Sequence, residues 1–79
     1  MTHELKTWPE YFEPIRREDK RFELRLNDRD YKTGDILVLA EWNPKTKEFT
    51  GRVCDRIVDY ILNGLAFGLA EGWCIMSIS

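Results

Sequence analysis

Lys20, Glu23 and Arg25 lie in the stretch EDKRFELR, residues 18 to 25, and place an ammonium, a carboxylate and a guanidinium close together in the chain. Residues 23 and 25 are two apart and share one face of an extended segment, whereas the odd step from Lys20 to Glu23 points them to opposite faces. The three meet only if Lys20 belongs to the turn before the strand and its long stem swings back. So arranged, the carboxylate accepts hydrogen bonds from an exocyclic amine, and the two cations meet a phosphate or a carbonyl. A reading without a ligand stands beside this one. Arg21, Glu23 and Arg25 alternate in sign as cross-strand ion pairs on a solvated surface do, each contributing less than ~1 kcal/mol.

Neighbouring residues extend the same chemistry. Trp8 or Tyr11, presented by the segment before the motif, would stack on a nucleobase, although both also fit an apolar stripe directed at a core. Asn27, Asp28, Arg29 and Asp30 have turn-forming composition, and Arg29 is placed to rim a cleft beside the motif. His3 reads as a surface or strand-start residue. Cys54 and Cys74, with one histidine in the chain, lack zinc-site spacing and read as small apolar core residues, so no metal or other cofactor is expected. The glycines between Asn63 and Trp73 lack the strand-to-helix setting of a phosphate loop.

These residues need a scaffold, and the chain length allows only a small one. Seventy-nine residues form a single domain, 1–79, of a size that buries roughly 60% of its unfolded surface. Hydrophobic residues make up 43% and aromatics 13%, enough for one compact core. The net charge of −2 argues against a protein that coats duplex DNA, but a local site for one nucleotide or a few bases needs only a few well-placed cations. No apolar run reaches the ~20 residues of a membrane-spanning helix, and the first residues lack a signal-peptide pattern, so the chain reads as cytoplasmic.

The pattern along the chain predicts strand, helix, then four strands. HELKTW is extended, with Leu5 as its inward anchor. Thr7 and Glu10 have capping-box spacing, Pro9 suits a first helical turn, and Trp8, Tyr11, Phe12 and Ile15 follow a helical stripe. Pro14 inside that helix removes a hydrogen bond at a cost of about 3 kcal/mol, so a kink or break is expected there. Over residues 21–26 the period changes to two, which predicts a strand with Phe22, Leu24 and Leu26 inward and the charged residues outward. Gly34 and Asp35 lead into a central strand, ILVLAEW, and RVCDRIVDYIL and WCIMSIS supply two more. NGLAFGLAEG has three glycines with Leu65, Phe67 and Leu69 between them and reads as a loop lying over the core rather than a linker. The expected fold is mainly β with one N-terminal helix (α+β), its five strands curling into a small barrel.

The EDKRFELR segment resembles the signature G-x-K-x-x-E-x-R of the activating signal cointegrator homology (ASCH) domains, members of the PUA-like β-barrel superfamily. Lys20, Glu23 and Arg25 fill its Lys, Glu and Arg positions, and Glu18 stands where the family has Gly. The later KTGDILVL is similar to that family's Gly-Asp lead into the next strand. The whole chain resembles short bacterial and phage ASCH-like proteins classed as a domain of unknown function. This resemblance implies a PUA-like five-stranded barrel and an RNA- or nucleotide-binding cleft lined by the motif. It also implies an alternative, an amidohydrolase of acylated cytidine in which the motif lysine and a threonine act, although Glu23 takes that threonine's place here. A third reading is a protein-interaction domain of phage or prophage origin, with the cleft incidental.

Overall fold

In the computed structural model, which describes residues 1–65 and 67–79, the chain opens with strand β1, Thr2–Thr7. His3, Leu5 and Thr7 alternate inward, as a period of two requires. Leu5 is the expected anchor; His3 stands at the strand start, one of its two expected places, and is buried rather than at the surface. Helix α1, Pro9–Arg16, follows, with Pro9 at its start and no side-chain cap. The capping box is therefore not formed, because Thr7 ends β1 with its side chain buried and Trp8 takes the cap position. The helix runs unbroken past Pro14 to Arg16. It buries Phe12 and Ile15, while Trp8 and Tyr11, on the same expected stripe, remain half exposed.

Strands β2 (Phe22–Leu26), β3 (Ile36–Asn43), β4 (Glu48–Asn63) and β5 (Trp73–Ile78) complete one mixed sheet in the order β1-β3-β4-β5-β2. β1 pairs with β3 in parallel, Leu5 opposite Leu39, and the other pairings are antiparallel. β3 is thus an inner strand, as its apolar start implied. β4 is sixteen residues long and serves two neighbours, pairing with β3 along residues 48–57 and with β5 along residues 58–63. Register shifts at Ala40/Trp42 and Val58/Tyr60 mark bulges, which bend a strand and increase its twist. The sheet curls around Leu5, Ile15, Tyr31, Leu37, Leu39, Val58, Cys74, Met76 and Ile78. Cys74 is a free thiol within that core, and burial raises its pKa.

Three expectations give way here. The sheet is not closed by strand pairing, because β1 and β2 form its two edges. β2 has the expected period of two with its faces reversed: Glu23 is buried, while Phe22, Leu24 and Leu26 are about half exposed. As an edge strand beside a gap, β2 turns its charged residues toward partners inside that gap. Finally, Leu65 and Phe67 stand exposed and do not cover the core.

Candidate functional site

The gap between the two edge strands is a cleft of about 740 Å³, within the ~300–1,000 Å³ typical of small-ligand pockets. Its acidic centre is Glu23, 3% exposed, whose two carboxylate oxygens are held by different cations. Lys20 Nζ donates to Oε1 at 3.0 Å and Arg25 Nε donates to Oε2 at 2.7 Å. Lys20 precedes β2 and swings back as the spacing required, its Nζ also donating to the Phe22 carbonyl at 2.8 Å. An ammonium has three protons to donate, and these contacts use two. Glu23 and Arg25 share a face as expected. The solvated-face reading does not describe Glu23, since a 3% exposed carboxylate with two charge-assisted bonds is an interior group.

The turn before β2 fixes this arrangement. Glu18 follows the helix with a positive φ of 67°, its N–H bonded to the Ile15 carbonyl at 3.0 Å. Asp19 and Lys20 N–H groups both reach the Pro14 carbonyl, which leads the chain from the helix end back toward β2. A left-handed backbone costs a non-glycine residue about 1 kcal/mol.

Guanidinium groups bridge the two edges where a strand ladder would have closed the sheet. Arg25 Nη2 donates to the Lys6 carbonyl at 2.9 Å, and Arg29 Nη1 donates to the Glu4 carbonyl at 2.8 Å. These carbonyls are two residues apart on the outer edge of β1. Arg25 therefore has two roles, fixing Glu23 and spanning the cleft. Arg29 joins the site from the loop, as expected.

Aromatic side chains form the walls. Trp8 and Tyr11 stand on the helix side at 46% and 49% exposure, and Phe22 and Trp73 stand on the β2–β5 side. Lys20 Nζ lies 4.6 Å from the Phe22 ring centroid, a cation–π distance. Tyr31 closes the bottom of the cleft, and burial raises its pKa. Lys6, Lys20, Arg25 and Arg29 outnumber Glu23 and Asp28 around this space, so its local balance is positive in an acidic chain.

The structure brings all five expected residues, Trp8, Lys20, Glu23, Arg25 and Arg29, to one cleft. Lys6, Thr7, Tyr31 and Trp73 also line it and went unforeseen. Thr7 shares the inward parity of Leu5, a signal that could have placed it; Trp73 comes from the far end of the chain with no local signal. His3 lies behind the cleft, its ring 4.8 Å from that of Tyr31, with Nε2 2.8 Å from Asp35 Oδ2. His3, the Met1 ammonium and the Lys32 N–H, in that order, hold the Asp35 carboxyl well below the usual range. No cluster of metal-ligating side chains is present among the described residues.

Fold and site together define a small α+β domain whose open sheet holds a cation- and aromatic-lined cleft between its edge strands. The chain belongs to the family described as domain of unknown function DUF3850, which matches residues 2–78. It is similar to an uncharacterized 12.9 kDa protein in the GpA 3′ region of Escherichia phage P2, with 43% identity over 58 residues. That match covers 72% of this chain and 51% of the phage protein, so the chain spans about half the length of this relative.

Proposed function

We propose that this domain is an ASCH-type, PUA-like module that binds single-stranded RNA or a nucleotide in the cleft between β1 and β2, acting in the cytoplasm. The carrying observation is the convergence of Lys20, Glu23 and Arg25 on one cleft whose walls hold half-exposed aromatic rings. Bases stack on such rings whatever their sequence, and the cations meet the phosphate. Lys20 keeps a proton for the ligand, and Arg29 faces solvent at the rim. The turn also supports the resemblance. Glu18, at the position of the motif glycine, adopts the left-handed backbone that glycine takes most readily.

Fluorescence anisotropy with a labelled single-stranded RNA tests the reading. Lys20→Ala and Trp8→Ala should each weaken binding about tenfold, the loss of one stacked base being worth about 1–3 kcal/mol. Three cations on the phosphates predict a slope of about −2 for log K against log salt. Affinity unchanged in both folded variants would refute the proposal.

The contact of partly buried Lys20 with Glu23 also favours a second reading, hydrolysis of the amide in an acylated cytidine. Water would attack the acyl carbon and the C–N bond would break, releasing the cytidine amine and a carboxylic acid. Both oxygens of Glu23 are already held by cations, which makes it a poor activator of that water and places binding first. Turnover of N4-acetylcytidine that is lost in Lys20→Ala would reverse this order.

A further inference from the structure

We infer that the outer face of β2, β5 and the end of β4 is a dimer interface whose occupant is a second copy of this chain. The register aligns Leu26 with Trp73, Leu24 with Ile75 and Leu62, and Phe22 with Ser77 and Tyr60. These three rows contain no charged side chain. Exposure is 40% at Trp73, 47–49% at Phe22, Leu24 and Leu26, and 65% at Tyr60. Phe22, Leu24, Leu26 and Trp73 also line the cleft, so this face adjoins its β2–β5 wall, whereas Tyr60, Leu62, Ile75 and Ser77 lie outside the cleft.

The area matches what a copy of the chain needs. A large side chain of this kind covers about 150–250 Å² when buried, so five at half exposure offer about 500 Å². That lies in the upper part of the ~300–600 Å² range for the largest apolar patch of a monomer. With a polar rim it approaches the ~800 Å² that each partner gives to a standard interface. Small domains commonly gain stability by oligomerisation, and this one exposes more large apolar side chains than it buries among the described residues.

The shape of the face selects an identical partner. In its last row, Ser77 leaves a gap between the flanking aromatics Phe22 and Tyr60. Four residues earlier on the same strand, Trp73 projects from the same face. A two-fold axis lying between the sheets and crossing the strands at Ile75 reverses the strand direction. It seats the Trp73 ring of each copy over the Ser77 gap of the other and places Leu26 over Phe22. An uncharged face that supplies both the projection and the gap satisfies an isologous contact, whereas a charged partner would find nothing to pair with.

Sedimentation equilibrium of the full chain tests this directly. The expected mass is twice that of one chain, and Tyr60→Asp or Ser77→Trp should return it to the monomer value with the circular dichroism spectrum unchanged. Val53→Asp, an equally exposed apolar-to-acidic change on the β3–β4 part of the sheet, should leave the dimer intact. A wild-type monomer at all concentrations, a dimer that survives both substitutions, or one dissociated by Val53→Asp would each overturn the inference. The masses are measured without RNA and Tyr60, Ser77 and Val53 lie outside the cleft, so failure of the dimer and failure of RNA binding are read separately.

Discussion

Replacing Glu23 by Ala removes the one carboxylate that holds Lys20 and Arg25 together. A hydrogen bond to a charged group contributes about 1.5–3 kcal/mol, and two are lost. Breaking a fully buried pair costs about 3–5 kcal/mol, but Lys20 and Arg25 are 18% and 25% exposed and can turn partly to water. Lys20 retains the Phe22 carbonyl and Arg25 the Lys6 carbonyl. The net destabilisation should therefore be about 2–3 kcal/mol. For a domain of this size, that corresponds to a fall in Tm of roughly 10–20 °C. Glu23→Gln should lie between the two proteins, since an amide keeps one acceptor but turns its NH2 toward one of the cations. Thermal melting followed by circular dichroism reads the difference. If Glu23→Ala melts within a degree or two of wild type, or above it, the ion cluster does not hold β2 to the cleft and the reasoning fails.

Other substitutions probe the surrounding parts. Arg29→Ala should lower stability by about 1 kcal/mol and speed amide exchange along β1, by releasing the Glu4 carbonyl at an edge strand; unchanged exchange would show that water caps that edge equally well. Glu18→Gly should raise stability by about 0.5–1 kcal/mol, because it relieves a positive φ, and destabilisation measured in urea would contradict this. Asp35 is held below the usual carboxylate value of 3.8 by His3, the amino terminus and the Lys32 N–H. A depressed folded-state pKa gives stability that is present above the unfolded value and lost as the pH falls below it. Asp35→Asn should therefore be less stable than wild type near neutral pH, with the gap narrowing below about pH 4. A gap that stays constant down to acid would place the contribution of Asp35 outside its charge.

The element order was legible because each segment carries its own period and its own stops. The helix around Phe12 and Ile15, the apolar ILVLAEW strand and the final WCIMSIS strand all follow from local pattern. The orientation of β2 was not. A period of two states that the faces differ without stating which is inside, and placing Phe22, Leu24 and Leu26 inward relied on hydropathy alone. Glu23 is interior because Lys20 and Arg25 reach it from a turn and from its own strand, an arrangement set by geometry rather than by residue type. Arg29 meets a carbonyl 25 positions away, at Glu4, and no local pattern records such a contact. The motif spacing nevertheless placed Lys20 in the turn, because an odd separation leaves no other way for it to meet Glu23. Trp8 went the other way. It belonged to a plausible core stripe, yet its position at the cap of a short helix leaves half of it exposed at the cleft.

The central claim is that the cleft between the edge strands receives a nucleotide. Titration of 15N-labelled protein with a short single-stranded RNA, read residue by residue by NMR, tests it most directly. The account predicts saturable shifts concentrated at the amides of Trp8, Lys20, Glu23, Arg25 and Arg29 and at the indole N–H signals of Trp8 and Trp73. Shifts confined to the outer face around Tyr60 and Val53, or none at millimolar nucleotide, would contradict it.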